Sequence, residues 1–187
     1  MLLASGVNFG FKRTIPHMLG IAGGFWLMVL LVGVGLGQVF NAYPFLFVAM
    51  KWLGGAYMLY LAWNIAMSTA PTDTHDIADA GSSNAGSAKP MSFLAAAAFQ
   101  YVNPKAWIMA IGGISAYLPT GLGFWQTASA ALLIASVFAT INLPSVSVWT
   151  LFGTALRGFL ALPVYRQAFN WTMAVLLVVS YVPALMV

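Results

Sequence analysis

The residues best suited to chemistry are Asn103, Pro104 and Lys105, which interrupt an otherwise apolar segment. Proline removes a backbone hydrogen bond from a helix, and lysine brings a charge to membrane depth. The stretch from Met91 to Val102 would rise about 18 Å as a helix, so we expect the interruption near the middle of a bilayer. A helix that ends and restarts there offers carbonyl groups to an ammonium and N–H groups to a carboxylate.

The pattern favours a binding site for a zwitterion such as an amino acid. The alternative is a proline kink from which Lys105 extends to an interface.

Lys51 is the second candidate, because it lies inside an apolar segment a few residues after Pro44. That spacing places it about 10 Å into a helix, from which its long side chain could still reach the membrane surface. All acidic residues of the chain lie in one polar segment: Asp73, Asp76 and Asp79. Lys51 and Lys105 therefore have no carboxylate partner at membrane depth, and a substrate carboxylate could take that place.

Small residues recur at spacings that allow helix backbones to approach closely, as in Gly20 with Gly24 and the pair Gly54-Gly55. We expect these glycines to serve helix packing. Gly54 and Gly55 lie one turn from Lys51, so they could also leave room for a ligand.

The sequence holds no constellation for enzyme chemistry. Cysteine is absent, and no cluster of His, Asp or Glu occurs at membrane depth. His17 stands at the start of a span, where an interfacial histidine is ordinary, and a metal site at His75 beside the aspartates is a minor alternative. We therefore predict no catalytic residue, no metal site and no cofactor, and the chain is not expected to be an enzyme.

The composition is that of a membrane protein. Hydrophobic residues make up 61% of the chain and charged residues only 5%, against about 25% charged in soluble domains. The formal net charge is +4, but the seven basic residues are scattered and form no stripe, which argues against a nucleic-acid partner. The surroundings of the helices are expected to be lipid.

Hydropathy divides the chain into one all-α transmembrane domain. Five apolar segments are long enough to cross a bilayer, and they cover residues 17–40, 45–67, 91–118, 124–156 and 169–187. Residues 68–90 form a polar segment that is typical of a flexible loop. Residues 1–10 are too short to cross alone and are interpreted as the remnant of a first helix.

Basic residues near the span ends occur only in alternate loops, at Lys12 and Arg13, at Lys89, and at Arg157 and Arg166. By the positive-inside rule these loops are cytoplasmic, which places the carboxyl terminus in the periplasm. Adding or removing one span in the middle would put basic loops on both faces.

Three strings resemble the LysE/RhtB family of amino-acid exporters, and they cover residues 1–13, 51–63 and 99–107. The resemblance implies a six-helix protein of the bacterial inner membrane. Such a protein exports amino acids or close derivatives, is coupled to the proton gradient and needs no cofactor. In this family a helix with a Pro-Gly-Pro motif precedes the stretch that matches Met1 to Gly10, and that motif is missing here. With that helix restored, the spans would form an inverted repeat of three plus three.

The resemblance carries substrate binding onto matching positions only: Lys51, Gly54, Gly55, Asn103, Pro104 and Lys105. In this interpretation Pro104 opens the helix, Asn103 donates and accepts hydrogen bonds at the gap, and Lys105 attracts the substrate carboxylate or gates the path. The alternatives are a truncated, non-transporting fragment and a membrane-embedded assembly protein. The close-packing glycines also make a homodimer plausible.

Overall fold

The computed structural model describes residues 1–68, 89–160 and 162–186, and every regular element in these ranges is helical. The elements in chain order are α1 (Leu2–Leu31), a π-helical turn (Val32–Leu36), α2 (Gln38–Ala42), α3 (Phe45–Ala66), α4 (Phe93–Val102), α5 (Pro104–Tyr117), α6 (Phe124–Leu156) and α7 (Pro163–Met186). The prediction of an all-α helix bundle is confirmed. The predicted flexible loop, with His75 and the three aspartates, lies almost entirely outside the described residues.

Three helical stretches are long and apolar enough to cross a membrane: Leu2–Leu36, Phe45–Ala66 and Phe124–Leu156. The segment predicted as one span at 91–118 is divided between α4 and α5, and α7 begins at Pro163 rather than at residue 169. Proline is favoured in the first turn of a helix, where its missing N–H costs no hydrogen bond. The segment predicted as 17–40 is interrupted by the π-helical turn, in which Gly35 has a φ of 118°. The total of five crossings stays a prediction.

The chain bends sharply back on itself at Gly10, inside α1. Gly10 has φ 76° and ψ 170°, a backbone conformation that only glycine adopts readily. The hydroxyl oxygens of Ser5 and Thr14 lie 3.0 Å apart, although nine residues of straight helix would separate them by about 14 Å. Residues 2–9, interpreted from sequence as the remnant of a first helix, therefore form a short arm that folds beside the rest of α1. We call these residues the N-terminal arm.

Glycines bring the helix backbones into direct contact. Gly20 and Gly24 lie against α4, where an added Cβ atom would overlap backbone atoms of Phe93 and Ala97. Gly6 of the N-terminal arm meets Gly153 of α6 in the same way. These contacts confirm the packing role expected for Gly20 and Gly24, because residues with side chains would hold the helices apart.

The largest apolar core lies between α1, α5 and α6. Its fully enclosed members include Met28, Val29, Ala110 and Ala135. α6 runs without interruption through Pro144. This core holds α5 in place, and α5 begins at the residues that sequence reasoning had singled out.

Candidate functional site

The helix break predicted from sequence is present between α4 and α5. α4 ends at Val102 and α5 begins at Pro104, while Asn103 between them is extended, with φ −96° and ψ 105°. The Asn103 Oδ1 atom accepts a hydrogen bond of 3.1 Å from the Lys105 backbone N–H. Asparagine is a favoured N-cap and proline a favoured first helical residue. Both residues therefore fit the break by local chemistry.

The carbonyl groups at the end of α4 are mostly occupied by the protein itself. The Tyr101 carbonyl accepts a hydrogen bond of 2.9 Å from the indole N–H of Trp107. The Val102 carbonyl oxygen packs against Gly54 of α3, where an added Cβ atom would overlap it. Among the described residues no donor bonds to this oxygen. The acceptor cluster expected at the break is thus reduced to one carbonyl, and that carbonyl is covered by α3.

Tyr181 of α7 joins α3 to this region. Its hydroxyl donates a hydrogen bond of 2.7 Å to the Lys51 carbonyl oxygen, and its ring packs against Gly55. The structure therefore brings the backbones of Lys51, Gly54 and Gly55 to the break, with Tyr181 between them. Sequence reasoning missed Tyr181, because nothing in a sequence links residues that are 130 positions apart.

The two lysine side chains stay unpaired in the described part of the chain. Lys105 is exposed in the first turn of α5, and Lys51 is half-buried in α3. No described side chain forms a hydrogen bond or ion pair with either ammonium group. Their role in binding a substrate carboxylate stays a prediction.

A second polar region lies between the N-terminal arm, α1, α3 and the start of α4. It is a cavity of about 340 Å³. Its polar lining residues are Ser5, Asn8, His17, Asn64, Ser68 and Lys89, and Tyr57, Tyr60, Leu61 and Met91 are among the others. The lining, as the structure describes it, includes none of the residues predicted to bind substrate.

Buried amides fix the wall of this cavity. The side-chain amides of Asn8 and Asn170 bond to each other, at 2.9 Å in one direction and 3.3 Å in the other. Asn170 also donates to the Ser68 carbonyl oxygen at 2.9 Å. Both side chains are almost completely buried, and buried polar groups are stable only when they are hydrogen-bonded. The pair therefore ties the N-terminal arm to α7 and to the end of α3.

His17 differs from these amides. Its side chain is 3% exposed, and neither ring nitrogen has a hydrogen-bond partner among the residues that the structure describes. The ring is enclosed by the protein, and residues of the N-terminal arm, α3 and α4 line the same cavity. A buried imidazole without partners is unusual in a native fold.

Comparison with known proteins decides the family. The sequence profile of the LysE type translocators matches residues 1–182. The chain belongs to the LysE type translocator family. It is therefore a membrane-embedded member of a transporter family and not an enzyme, as the sequence motifs predicted.

Curated relatives of this LysE type translocator are efflux proteins. A cysteine/O-acetylserine efflux protein of Klebsiella pneumoniae is 28% identical, over 95% of this chain and 83% of the relative. The protein with the same description in Escherichia coli K12 is 29% identical, over 95% and 83%. A homoserine/homoserine lactone efflux protein of Salmonella typhimurium is 27% identical, over 55% of each chain. No solved structure is significantly similar to the chain.

Proposed function

We propose that this LysE type translocator exports small amino acids or their close derivatives across the bacterial inner membrane, in exchange for protons. The observation that carries the proposal is a cavity in an apolar helix bundle whose lining includes several polar side chains. Polar groups are costly inside a membrane protein and generally mark the path of a substrate or ion. The relatives are described as efflux proteins for cysteine and O-acetylserine or for homoserine and homoserine lactone.

The cavity suits a zwitterion in both size and chemistry. Its volume of about 340 Å³ lies at the lower end of ligand pockets, which span about 300–1,000 Å³. Amide and hydroxyl oxygens of Asn8, Asn64 and Ser68 can accept hydrogen bonds from a substrate ammonium. The Lys89 ammonium lines the same space and can attract the carboxylate.

The position of the cavity agrees with the direction of export. It is lined by Ser68 at the end of α3 and by Lys89 shortly before α4, at the end of the bundle that bears basic loops. The positive-inside rule assigns this end to the cytoplasm and the carboxyl terminus to the periplasm. A substrate could therefore enter from the cytoplasm.

The helix break is proposed as a second substrate-binding site, deeper in the bundle on the same transport path. Ala95 lines the cavity, and Asn103 follows eight residues later, about 12 Å further along the helix axis. In this scheme the ammonium groups of Lys105 and Lys51 attract the substrate carboxylate. Asn103 and Pro104 form the gap in the helix. The small residues Gly54 and Gly55 leave room for the substrate beside that gap. The rings of Tyr57 and Phe99 pack with centroids 5.4 Å apart, between the cavity and the break.

Transport by purified protein in lipid vesicles tests the proposal. We expect uptake of radiolabelled L-homoserine, O-acetyl-L-serine or L-cysteine when a pH gradient is imposed. Lys105→Ala should lower the transport rate at least tenfold, because the substrate carboxylate loses its cation at the break. Lys12→Ala is the matched control, since Lys12 is exposed beside the turn at Gly10.

Two results would count against the proposal at different levels. If Lys105→Ala and Lys12→Ala transport equally well, Lys105 has no role at the break. If the wild-type chain moves none of the three amino acids, the export function itself is wrong and a non-transporting fragment or assembly protein becomes the better explanation.

A further inference from the structure

The unsatisfied polar atoms of the structure concentrate around the cavity. Among the described residues, five buried side-chain nitrogen or oxygen atoms lack a hydrogen-bond partner. Three of them, both ring nitrogens of His17 and the hydroxyl oxygen of Ser68, belong to residues that line the cavity. Leaving buried polar atoms unpaired is unfavourable, so a cluster of them indicates a place where a ligand supplies the partners.

The charges around His17 favour an amino acid as that ligand. The titratable residues that line the cavity include Met1 directly before the N-terminal arm, Tyr57 and Tyr60 from α3, and Lys89 before α4. No carboxylate belongs to the described residues, because all three acidic residues lie at positions 73–79. The neutral imidazole is a strong hydrogen-bond acceptor for a substrate ammonium.

We propose that His17 is the residue at which the substrate ammonium and the coupling proton exclude each other. A neutral imidazole has one acceptor nitrogen, whereas a protonated imidazole has only donors and a positive charge. Neutral His17 accepts a hydrogen bond from the substrate ammonium, with the Ser68 hydroxyl as a second acceptor. When a proton binds to the same nitrogen, that hydrogen bond breaks and the two cations repel each other. One substrate then leaves for each proton that enters, and this inference rests on the export function proposed above.

The ring reaches the cavity by a small movement. His17 already lines the cavity, although its nitrogens are enclosed. Rotation about the bond from Cβ to the ring has broad, roughly two-fold minima, so a nitrogen can turn towards the ligand without a change in the backbone. Histidine can bind and release a proton in mildly acidic solution, which is the property that the proposed exchange needs.

Separating exchange from proton coupling tests the role of His17. The probe is radiolabelled L-homoserine, and the full chain is used in lipid vesicles. In His17→Gln, acceleration of uptake by a pH gradient should fall at least tenfold, because glutamine cannot bind the proton. Exchange of labelled for unlabelled homoserine without a gradient should fall much less than gradient-driven uptake, because the glutamine amide still accepts a hydrogen bond. His75→Gln is the matched control, since the chain has only two histidines, and it should behave as wild type.

Binding at different pH values covers the case in which His17→Gln transports nothing. For the wild-type chain in detergent, the Kd for L-homoserine should rise by up to tenfold per pH unit below the pKa of the imidazole, as expected for competition with one proton. A wild-type Kd that is constant from pH 3 to 8 would overturn the proposal. So would gradient-driven uptake or pH-dependent binding that persists in His17→Gln, which would assign the proton to another group such as the Met1 amine. Absence of transport in the wild-type chain would refute the export function and this inference with it.

Discussion

Replacement of Gly54 by alanine tests the closest approach between α3 and the helix break. The added methyl group would overlap the Val102 carbonyl oxygen and would lie 2.8 Å from the Tyr181 hydroxyl oxygen. The Tyr181 hydroxyl could then no longer keep its hydrogen bond of 2.7 Å to the Lys51 carbonyl. Both effects push α3 away from α4, α5 and α7.

The size of the effect follows from three contributions. Overpacking at a backbone contact costs about 1–3 kcal/mol. Loss of the tyrosine hydrogen bond costs about 0.5–1.5 kcal/mol. Alanine is favoured over glycine within a helix by about 1 kcal/mol, which offsets part of this loss. We expect Gly54→Ala to lower the free energy of unfolding by about 1–3 kcal/mol.

Unfolding in mixed micelles of a mild detergent and sodium dodecyl sulphate, followed by circular dichroism, measures this difference. Gly112→Ala is the matched control, because Gly112 lies in α5 and an added Cβ atom there meets nothing within 4 Å. That variant should be as stable as wild type or more stable by up to about 1 kcal/mol. Equal stability of Gly54→Ala and Gly112→Ala would refute the close contact between α3 and the break. Transport by Gly54→Ala should fall as well, since the displaced carbonyl and tyrosine border the proposed path.

Substitutions at three further places, the arm, the turn and the break, are tested by the same unfolding measurement. Asn8→Ala and Asn170→Ala should each cost about 1–3 kcal/mol, because each leaves the other amide buried and unpaired. The double variant should cost about 1 kcal/mol less than the sum, and strict additivity would show that the two amides do not interact. Gly10→Ala should cost about 1–3 kcal/mol through its backbone conformation alone, and full stability would contradict the sharp turn there. Asn103→Ala should cost about 0.5–2 kcal/mol by removing the cap of α5, whereas Asn103→Ser should recover most of it; equal loss in both would exclude a capping role.

The break at Asn103 was predictable because its cause is local. Proline cannot donate a hydrogen bond within a helix, and asparagine caps the helix that follows, so neighbouring residues alone determine the interruption. The contacts of the break were not predictable. The Val102 carbonyl packs against Gly54 and the Lys51 carbonyl bonds to Tyr181, and both depend on how helices distant in sequence pack together.

The cavity shows the limit of sequence reasoning more clearly. Its wall includes Asn8, whose amide bonds to Asn170, 162 residues away in the sequence. The sharp turn at Gly10 is one of many possible glycine conformations in a chain with 18 glycines. This turn folds the N-terminal arm beside α1, where residues of the arm, α3 and α4 line the same cavity as His17. The burial of the His17 ring therefore depends on contacts that its neighbours in sequence do not specify.

The sequence by itself determined that lipid surrounds this protein, that its elements are helices, which family it belongs to and where the helix break lies. These properties depend on hydropathy, proline geometry and short motifs, which act within a few neighbouring residues. Tertiary structure alone decided where the polar cavity lies and which side chains line it. A cavity is the space between helices, and its shape depends on backbone turns and long-range contacts that no local pattern specifies.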